Sequence, residues 1–495
     1  MGKTLLIVDH VGVTKYAYGT IGTASIPDII ARRARVMAER LSADIAVVAL
    51  PDSVSRVENA KRHVLTDMTA KGYLALISEI SDGYSDIVHM KADMPFADAD
   101  EAVRALALHN ENFAYYTYGE NYPVGVLPRI YKRGTLERLS LLVEEKKLPL
   151  SYDIIHETVF IDPNFFEIEV SLSKDDMRYY RLSFRADTKR NVLLIERVGG
   201  ADPSLAYNDA AKNVLRDAAL RRTLPAYVEI ELTTERDVWP VTMPPETSSR
   251  PKAAFTRDSF ARACDTIAAL CDDVHLSLSL YGEPLMHAEV RGCIEEALKR
   301  GFTVYLETNG MKFDATFADW VLSLKEPRLK TIFHLDTIDT ALYARLYRGG
   351  DLGIVLANIE YYLMRDNKNA YVQIRKMKDN FDHLMAFYQY FEKFDAQIIL
   401  QKYDSCRGKM KGREVGDLSP LVHVGCWHVA RDLAVFADGS VRLCKEDIAA
   451  ERVIGSIHTD ELHALWKRMD DDYRATVTRS HPFCADCDEW YIYNF

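Results

Sequence analysis

The sequence predicts a multidomain α/β protein: a doubly wound, mostly parallel sheet in front, a partial (β/α) barrel behind it, and a small cysteine-rich tail. Three observations predict it. Short apolar runs alternate with helical patterns over residues 1–145, and the alternation resumes near residue 223. Strands separated by helices favour parallel sheets covered on their faces. Four of the eight cysteines then crowd into residues 426–487.

Size and composition fit this layout. A chain of 495 residues has room for about three domains, each with its own core. The hydrophobic fraction of 48% and charged fraction of 27% are those of an ordinary globular protein. A net charge of −11 and a pI near 5.8 argue against a broad nucleic-acid surface, while leaving local basic grooves open. MGKTLLIVDHVG reads as a first buried strand rather than a signal peptide. No apolar run approaches the length of a membrane span, so a cytoplasmic protein is expected.

In residues 1–145 the expected strands are TLLIVD, DIAVVAL and DIVHMKAD, with a helix over IPDIIARRARVMAERL. Ligands of such sheets bind beyond the carboxyl ends of the strands, where Asp9 and Asp93 stand. The stretch KADMPFADADEAVRALALHNENFAYYTYGENYPVGV resembles the cytidylyltransferase-like branch of the GT-A nucleotidyltransferases. That resemblance implies a magnesium-binding carboxylate at Asp93 and makes it the candidate catalytic residue. The front loop, DHVGVTKYAYGTIGTASIPD, departs from the family: it carries Lys15 but no G-x-G-x-R pattern.

Residues 146–222 read as a bridging module. Strands are expected over FFEIEVSL, MRYYRLSF and NVLLIERV, followed by a helix over SLAYNDAAKNVLRDAALRR.

Residues 223–405 supply six further strand candidates: AYVEIEL, VHLSLSLY, FTVYLET, TIFHLD, AYVQIRK and AQIILQ. Six strand–helix units predict a partial or full parallel barrel with its site on the loops after the strands. Those loops resemble radical S-adenosylmethionine (SAM) enzymes at three places in order. LSLSLYGEPLMH looks like the Gly-Gly-Glu-Pro strand end, with Tyr281 for the first glycine and Gly282, Glu283 and Pro284 matching. VYLETNG, with Glu307 and Asn309, looks like the third strand end, and FHLDTIDTALYARLYRGG like the fourth strand and its helix. The resemblance makes Gly282, Glu283, Pro284, Glu307 and Asn309 candidates for binding SAM or a related ligand. It also fails at one decisive point. The CxxxCxxC that holds the catalytic cluster in that family is absent after the first strand, where Arg236, Pro240 and Met243 fall on the cysteine positions. None is a thiolate, and Arg236 is a fixed positive charge. Cys264, Cys271 and Cys293 follow helical spacing and read as core.

A basic linker, RGKMKGREVGDLSPL, leads into residues 406–495, with Cys406 at its edge as either a spare ligand or a free thiol. Cys426 and Cys444 enclose FADGSV, whose Asp-Gly between apolar residues signals a hairpin, and Cys484 and Cys487 form a C-x-x-C. Four thiolates in two groups suit a tetrahedral zinc or an iron–sulfur cluster, whereas a disulfide framework belongs to small secreted chains. The stretch from Cys426 to Cys487 resembles a SPASM domain in a short, four-cysteine form that ends at Phe495. This favours one fully ligated [4Fe–4S] cluster over zinc, with Cys426, Cys444, Cys484 and Cys487 as ligands.

The three parts together resemble the spiro-SPASM group, a nucleotidyltransferase-like front joined to a cluster-less radical SAM-like barrel and a SPASM tail. The resemblance implies an iron–sulfur-binding protein that takes a peptide- or nucleotide-like ligand without standard SAM cleavage. Nucleotidyl transfer at Asp93 with Mg²⁺ and unconventional radical SAM catalysis are the alternatives, so whether the chain is an enzyme stays open. No nucleic acid or membrane partner is expected.

Overall fold

A computed structural model describes residues 2–202, 204–416 and 419–492. Asp417 and Leu418 of the expected linker, and Phe495, lie outside the described residues. The chain divides into two compact units, Met1–Thr223 and Leu224–Phe495.

The first unit is built on seven strands: β1 (Thr4–Asp9), β2 (Asp44–Ala49), β3 (Lys61–Val64), β4 (Asp86–Lys91), β5 (Tyr116–Glu120), β6 (Arg129–Lys132) and β7 (Ile168–Leu172), in the order β3-β2-β1-β4-β6-β5-β7. The first four are parallel, while β6 runs antiparallel to both β4 and β5. Every residue of β1 is buried because both sheet faces are covered, which is why its sequence is an unbroken apolar run. Side chains alternate between faces. Leu6 and Val8 join the core under α1 (Ile26–Leu41) and α3 (Ala99–Glu111). Leu5 and Ile7 join the core under α2 (Ala70–Ile80) and α4 (Thr135–Lys146).

Residues 146–222 differ from the expected three strands and a helix. Only FFEIEVSL yields a strand, β7, which pairs parallel with β5. MRYYRLSF holds a single 3₁₀ turn, Arg178–Tyr180. NVLLIERV is helical, α5 (Lys189–Arg197), capped by Thr188, whose hydroxyl accepts the Asn191 N–H at 3.1 Å. Leu194, Ile195 and Val198 repeat at helical spacing and enter the first core with Tyr207, Ala210 and Val214 of α6 (Tyr207–Arg216). The stretch therefore completes the first unit's core.

The second unit is built on a nine-stranded sheet: β8 (Tyr227–Ile230), β9 (His275–Ser277), β10 (Thr303–Thr308), β11 (Leu329–His334), β12 (Ala370–Lys376), β13 (Gln397–Lys402), β14 (Asp432–Val435), β15 (Ser440–Arg442) and β16 (Val453–Ser456). From β8 to β13, chain neighbours pair in parallel throughout. Helices α7 (Arg257–Leu270) and α8 (Val290–Lys299) follow β8 and β9, burying Cys264 and Cys293; Cys271, just past α7, is buried too. The tail shares this sheet. β14 pairs parallel with β8, Tyr227 opposite Asp432, and the β14–β15–β16 meander extends the same sheet.

Candidate metal centre and adjoining pocket

The tail brings three distant segments together. Cys426 precedes a short helix, Trp427–Arg431, and its N–H donates to the Thr476 hydroxyl at 3.2 Å. Cys444 follows the β14–β15 hairpin, whose turn closes through Gly439 in the left-handed region at φ 80°. Cys484 ends a 3₁₀ turn, and the Cys487 N–H donates to the Cys484 carbonyl at 3.2 Å. All eight cysteines are free thiols, which removes the disulfide reading.

The four tail sulfurs are close enough to act on one another. Burial pushes the Cys426 thiol up to about 12, with Cys484 adding to the rise. Burial also raises Cys444, helped by Glu446 and by all three other tail sulfurs, and raises Cys487, helped by Cys426. Burial takes Cys484 up to about 11 against the opposing charge of Arg407. A cation at the centre of such a group favours the thiolates that burial and mutual repulsion disfavour. Among the described residues, no three of these sulfurs lie within 4.8 Å of one another. His428 is buried and bonds Asp432 through Nδ1 at 2.6 Å, and His423 packs tilted against Trp490 with ring centroids 4.1 Å apart.

Beside this group a cavity of about 190 Å³ opens at the carboxyl ends of the parallel strands. Alternating strand residues point into it: Glu229, Glu307, His334, Gln373 and Gln401. Glu307 accepts from the Ser277 hydroxyl at 2.9 Å, from His334 Nε2 at 3.0 Å and from the Tyr227 hydroxyl at 3.3 Å. Burial pushes the Glu229 carboxyl up to about 8, Lys445 opposing it and nearby acids adding to it.

The expected ligand motifs meet here. Glu283 accepts from the Thr308 hydroxyl at 2.7 Å and from the Asn309 N–H at 3.0 Å, joining the YGEP and ETNG strand ends. Glu283, Glu307 and Asn309 line the cavity. Gly282 and Pro284 shape the loop instead. A Cβ on Gly282 would sit 1.6 Å from the Thr233 carbonyl oxygen, so only glycine permits this approach of the two strand ends. Arg236, Pro240 and Met243 also line the cavity. Arg236 is spent on carbonyls, donating to Tyr281 at 2.7 Å and Val238 at 3.2 Å. These three residues offer no ligand set for a second cluster.

Several residues were not singled out from sequence. Glu231 accepts from Arg250, from the Gly282 N–H at 3.1 Å and from the Ala437 N–H at 3.2 Å. Asp336 holds the Arg375 N–H at 2.9 Å and pairs with its guanidinium. The signal available for Asp336 was its place just past a strand-like run, in FHLD.

Asp93 belongs to the first unit and is fully buried just past β4. Its Oδ1 accepts from the Tyr152 hydroxyl at 2.7 Å and its Oδ2 from Arg185 Nε at 3.1 Å. Both oxygens are thus engaged, and the Arg185 guanidinium takes the place a magnesium ion would need, so these residues do not fit the ion as arranged. Asp9, at the end of β1, is similarly closed by Lys91, by His89 at 3.1 Å and by the Tyr73 hydroxyl at 2.8 Å.

Comparison with known proteins bears on the tail. Residues 426–488 match the family model of SPASM, described as an iron-sulfur cluster-binding domain. Residues 426–488 are thus similar to a SPASM-type iron–sulfur domain. An uncharacterized protein of Treponema pallidum (strain Nichols) is 29% identical over 364 residues, covering 69% of this chain and 98% of that protein. Among solved structures, Streptococcus suis SuiB bound to precursor peptide SuiA has a TM-score of 0.44 at 12% identity, covering 59% of this chain and 76% of its own. A cytidylyltransferase from Leptospira borgpetersenii serovar Hardjo-bovis has a TM-score of 0.36 at 12% identity, covering 44% of this chain and 95% of its own. Among the described residues no helix is long and apolar enough to cross a membrane.

Proposed function

We propose that the second unit is an iron–sulfur protein in which Cys426, Cys444, Cys484 and Cys487 hold one [4Fe–4S] cluster beside a small polar ligand pocket. The observation that carries this reading is the convergence of four mutually interacting sulfurs from three separated segments. The similarity of residues 426–488 to an iron-sulfur cluster-binding domain supports the cluster over zinc. With four cysteines supplied, no iron is left open, so the group would serve electron transfer or stability rather than chelate SAM.

The pocket is read as a ligand site without radical SAM cleavage, because Arg236, Pro240 and Met243 replace the thiolates that cleavage needs. Its Glu307 carboxylate stands with the Arg375 and Lys445 cations, which suits a ligand carrying both signs, such as an amino acid or a peptide end.

Anaerobic reconstitution with iron and sulfide is expected to give about four irons per chain and absorbance near ~400 nm, with no 5′-deoxyadenosine on reduction with SAM. Cys444→Ser is expected to lose most of that absorbance. Stoichiometric zinc with no such absorbance overturns the cluster, and deoxyadenosine formation overturns the cleavage-free reading.

A further inference from the structure

A second group of metal-binding side chains stands between the four tail cysteines and the pocket. The carboxylates of Asp404 and Glu446 and the sulfur of Cys406 lie within 4.8 Å of one another, and all three residues line the cavity. Cys406 and Glu446 are buried, Glu446 to 4% exposure. One Glu446 oxygen, Oε2, is wholly buried and has no hydrogen-bond partner among the described residues. A buried carboxylate oxygen without a donor is costly, and a second carboxylate alongside raises that cost.

The surrounding cations do not satisfy it. Lys445 Nζ stands 3.8 Å from Glu446 Oε1 and 3.5 Å from Asp404 Oδ2, offering charge without a bond to Oε2. A neighbouring acidic group shows the contrast. Asp488 and Glu489, which also lie near Asp404, are both bonded by Lys402, at 2.8 and 2.6 Å. That group is bonded by a cation; the Glu446 carboxyl instead shares a side-chain hydrogen bond with Asp404, and its Oε2 is left without a donor among the described residues.

We infer that Asp404, Cys406 and Glu446 form a site for one borderline divalent cation, of the Zn²⁺ or Fe²⁺ class, facing the ligand pocket. One thiolate and two carboxylates are a suitable donor set for such ions, and three protein ligands leave a position open toward the cavity. An open position there would let the ion contact a carboxylate or carbonyl of a bound ligand. The site does not depend on the tail cluster, since it shares no ligand with it.

The test uses full-length protein after iron–sulfur reconstitution, with Co²⁺ as probe. Wild type is expected to bind one cobalt per chain beyond its iron, with a thiolate-to-cobalt charge-transfer band in the difference spectrum. Cys406→Ser is expected to lose the band, and Glu446→Gln to weaken cobalt binding at least about tenfold, both keeping the wild-type iron content. The absence of a bound cobalt in wild type overturns the site and leaves a proton shared between the two carboxylates as the occupant. Equal cobalt binding in wild type and both variants also overturns it. Because both variants retain all four tail cysteines, the wild-type-minus-variant difference is read whether or not iron loads. Failure of the cluster and failure of this site are therefore separate results.

Discussion

Glu231 is the residue on which three parts of the second unit converge. It lies one position beyond β8, at 1% exposure, and accepts the backbone N–H groups of Gly282 and Ala437 while pairing with the buried Arg250. One carboxylate thereby fixes the first strand end, the YGEP loop and the tail hairpin. Removing Arg250 leaves that charge buried and uncompensated. Arg250→Ala is expected to cost about 3–5 kcal/mol. Arg250→Met with Glu231→Gln should recover a good part of it, because the buried charge goes as well. Chemical denaturation with an unchanged m-value measures both, and a single variant within about 0.5 kcal/mol of wild type would show the pair to be dispensable. None of this could be read from the sequence, since Glu231 and Arg250 stand 19 residues apart with no pattern between them. Glu283 and Asn309 were singled out because YGEP and ETNG resemble strand ends of the radical SAM enzymes. Asp404 and Glu446 were not, for it takes the fold to bring the end of β13 against the segment after β15.

At the scale of elements, periodicity decided what could be read. The long alternation of strands and helices marked the parallel strands of both sheets, because fully buried strands must be continuously apolar. NVLLIERV misled for the same reason: four apolar residues in a row fit a strand as well as a helix. Its N-cap, Thr188, and the face formed by Leu194, Ile195 and Val198 settle it as helical. The tail hairpin was marked by its Asp-Gly turn, and that turn positions Cys444. At Gly439, with φ 80°, a Cβ would lie 2.3 Å from the His458 ring, which packs on Phe255. Gly439→Ala is therefore expected to cost about 1–3 kcal/mol and to lower the iron retained after reconstitution. Gly412→Ala is the comparison, because Gly412 also has positive φ, 108°, but among the described residues nothing lies within 4 Å of its would-be Cβ. Equal iron in the two variants would sever the link between the hairpin turn and the metal centre.

At the scale of the whole molecule, the chain holds two large sheets, one in each unit, and the chemistry proposed for the centre lies in one of them. The first unit encloses its own two cores, one on each face of its seven-stranded sheet. In the second unit the tail is part of the sheet, since β14 bonds to β8 across some two hundred residues of sequence. That pairing escapes sequence reading because nothing local marks which edge a distant strand will join. It also means the tail cannot be expected to hold its cysteines in place without the parallel strands. Every residue of the proposed cluster, pocket and divalent site lies between Glu229 and Cys487. Residues 224–495 expressed alone are therefore expected to fold and to load about four irons, with the ~400 nm absorbance of the full chain. Residues 406–495 alone, which lack β8, are expected to lose both the fold and the iron. Circular dichroism and iron analysis of the two fragments decide it. A folded 224–495 fragment without iron would show that the centre depends on the first unit, and an iron-loaded 406–495 fragment would show that β8 is not needed to build it.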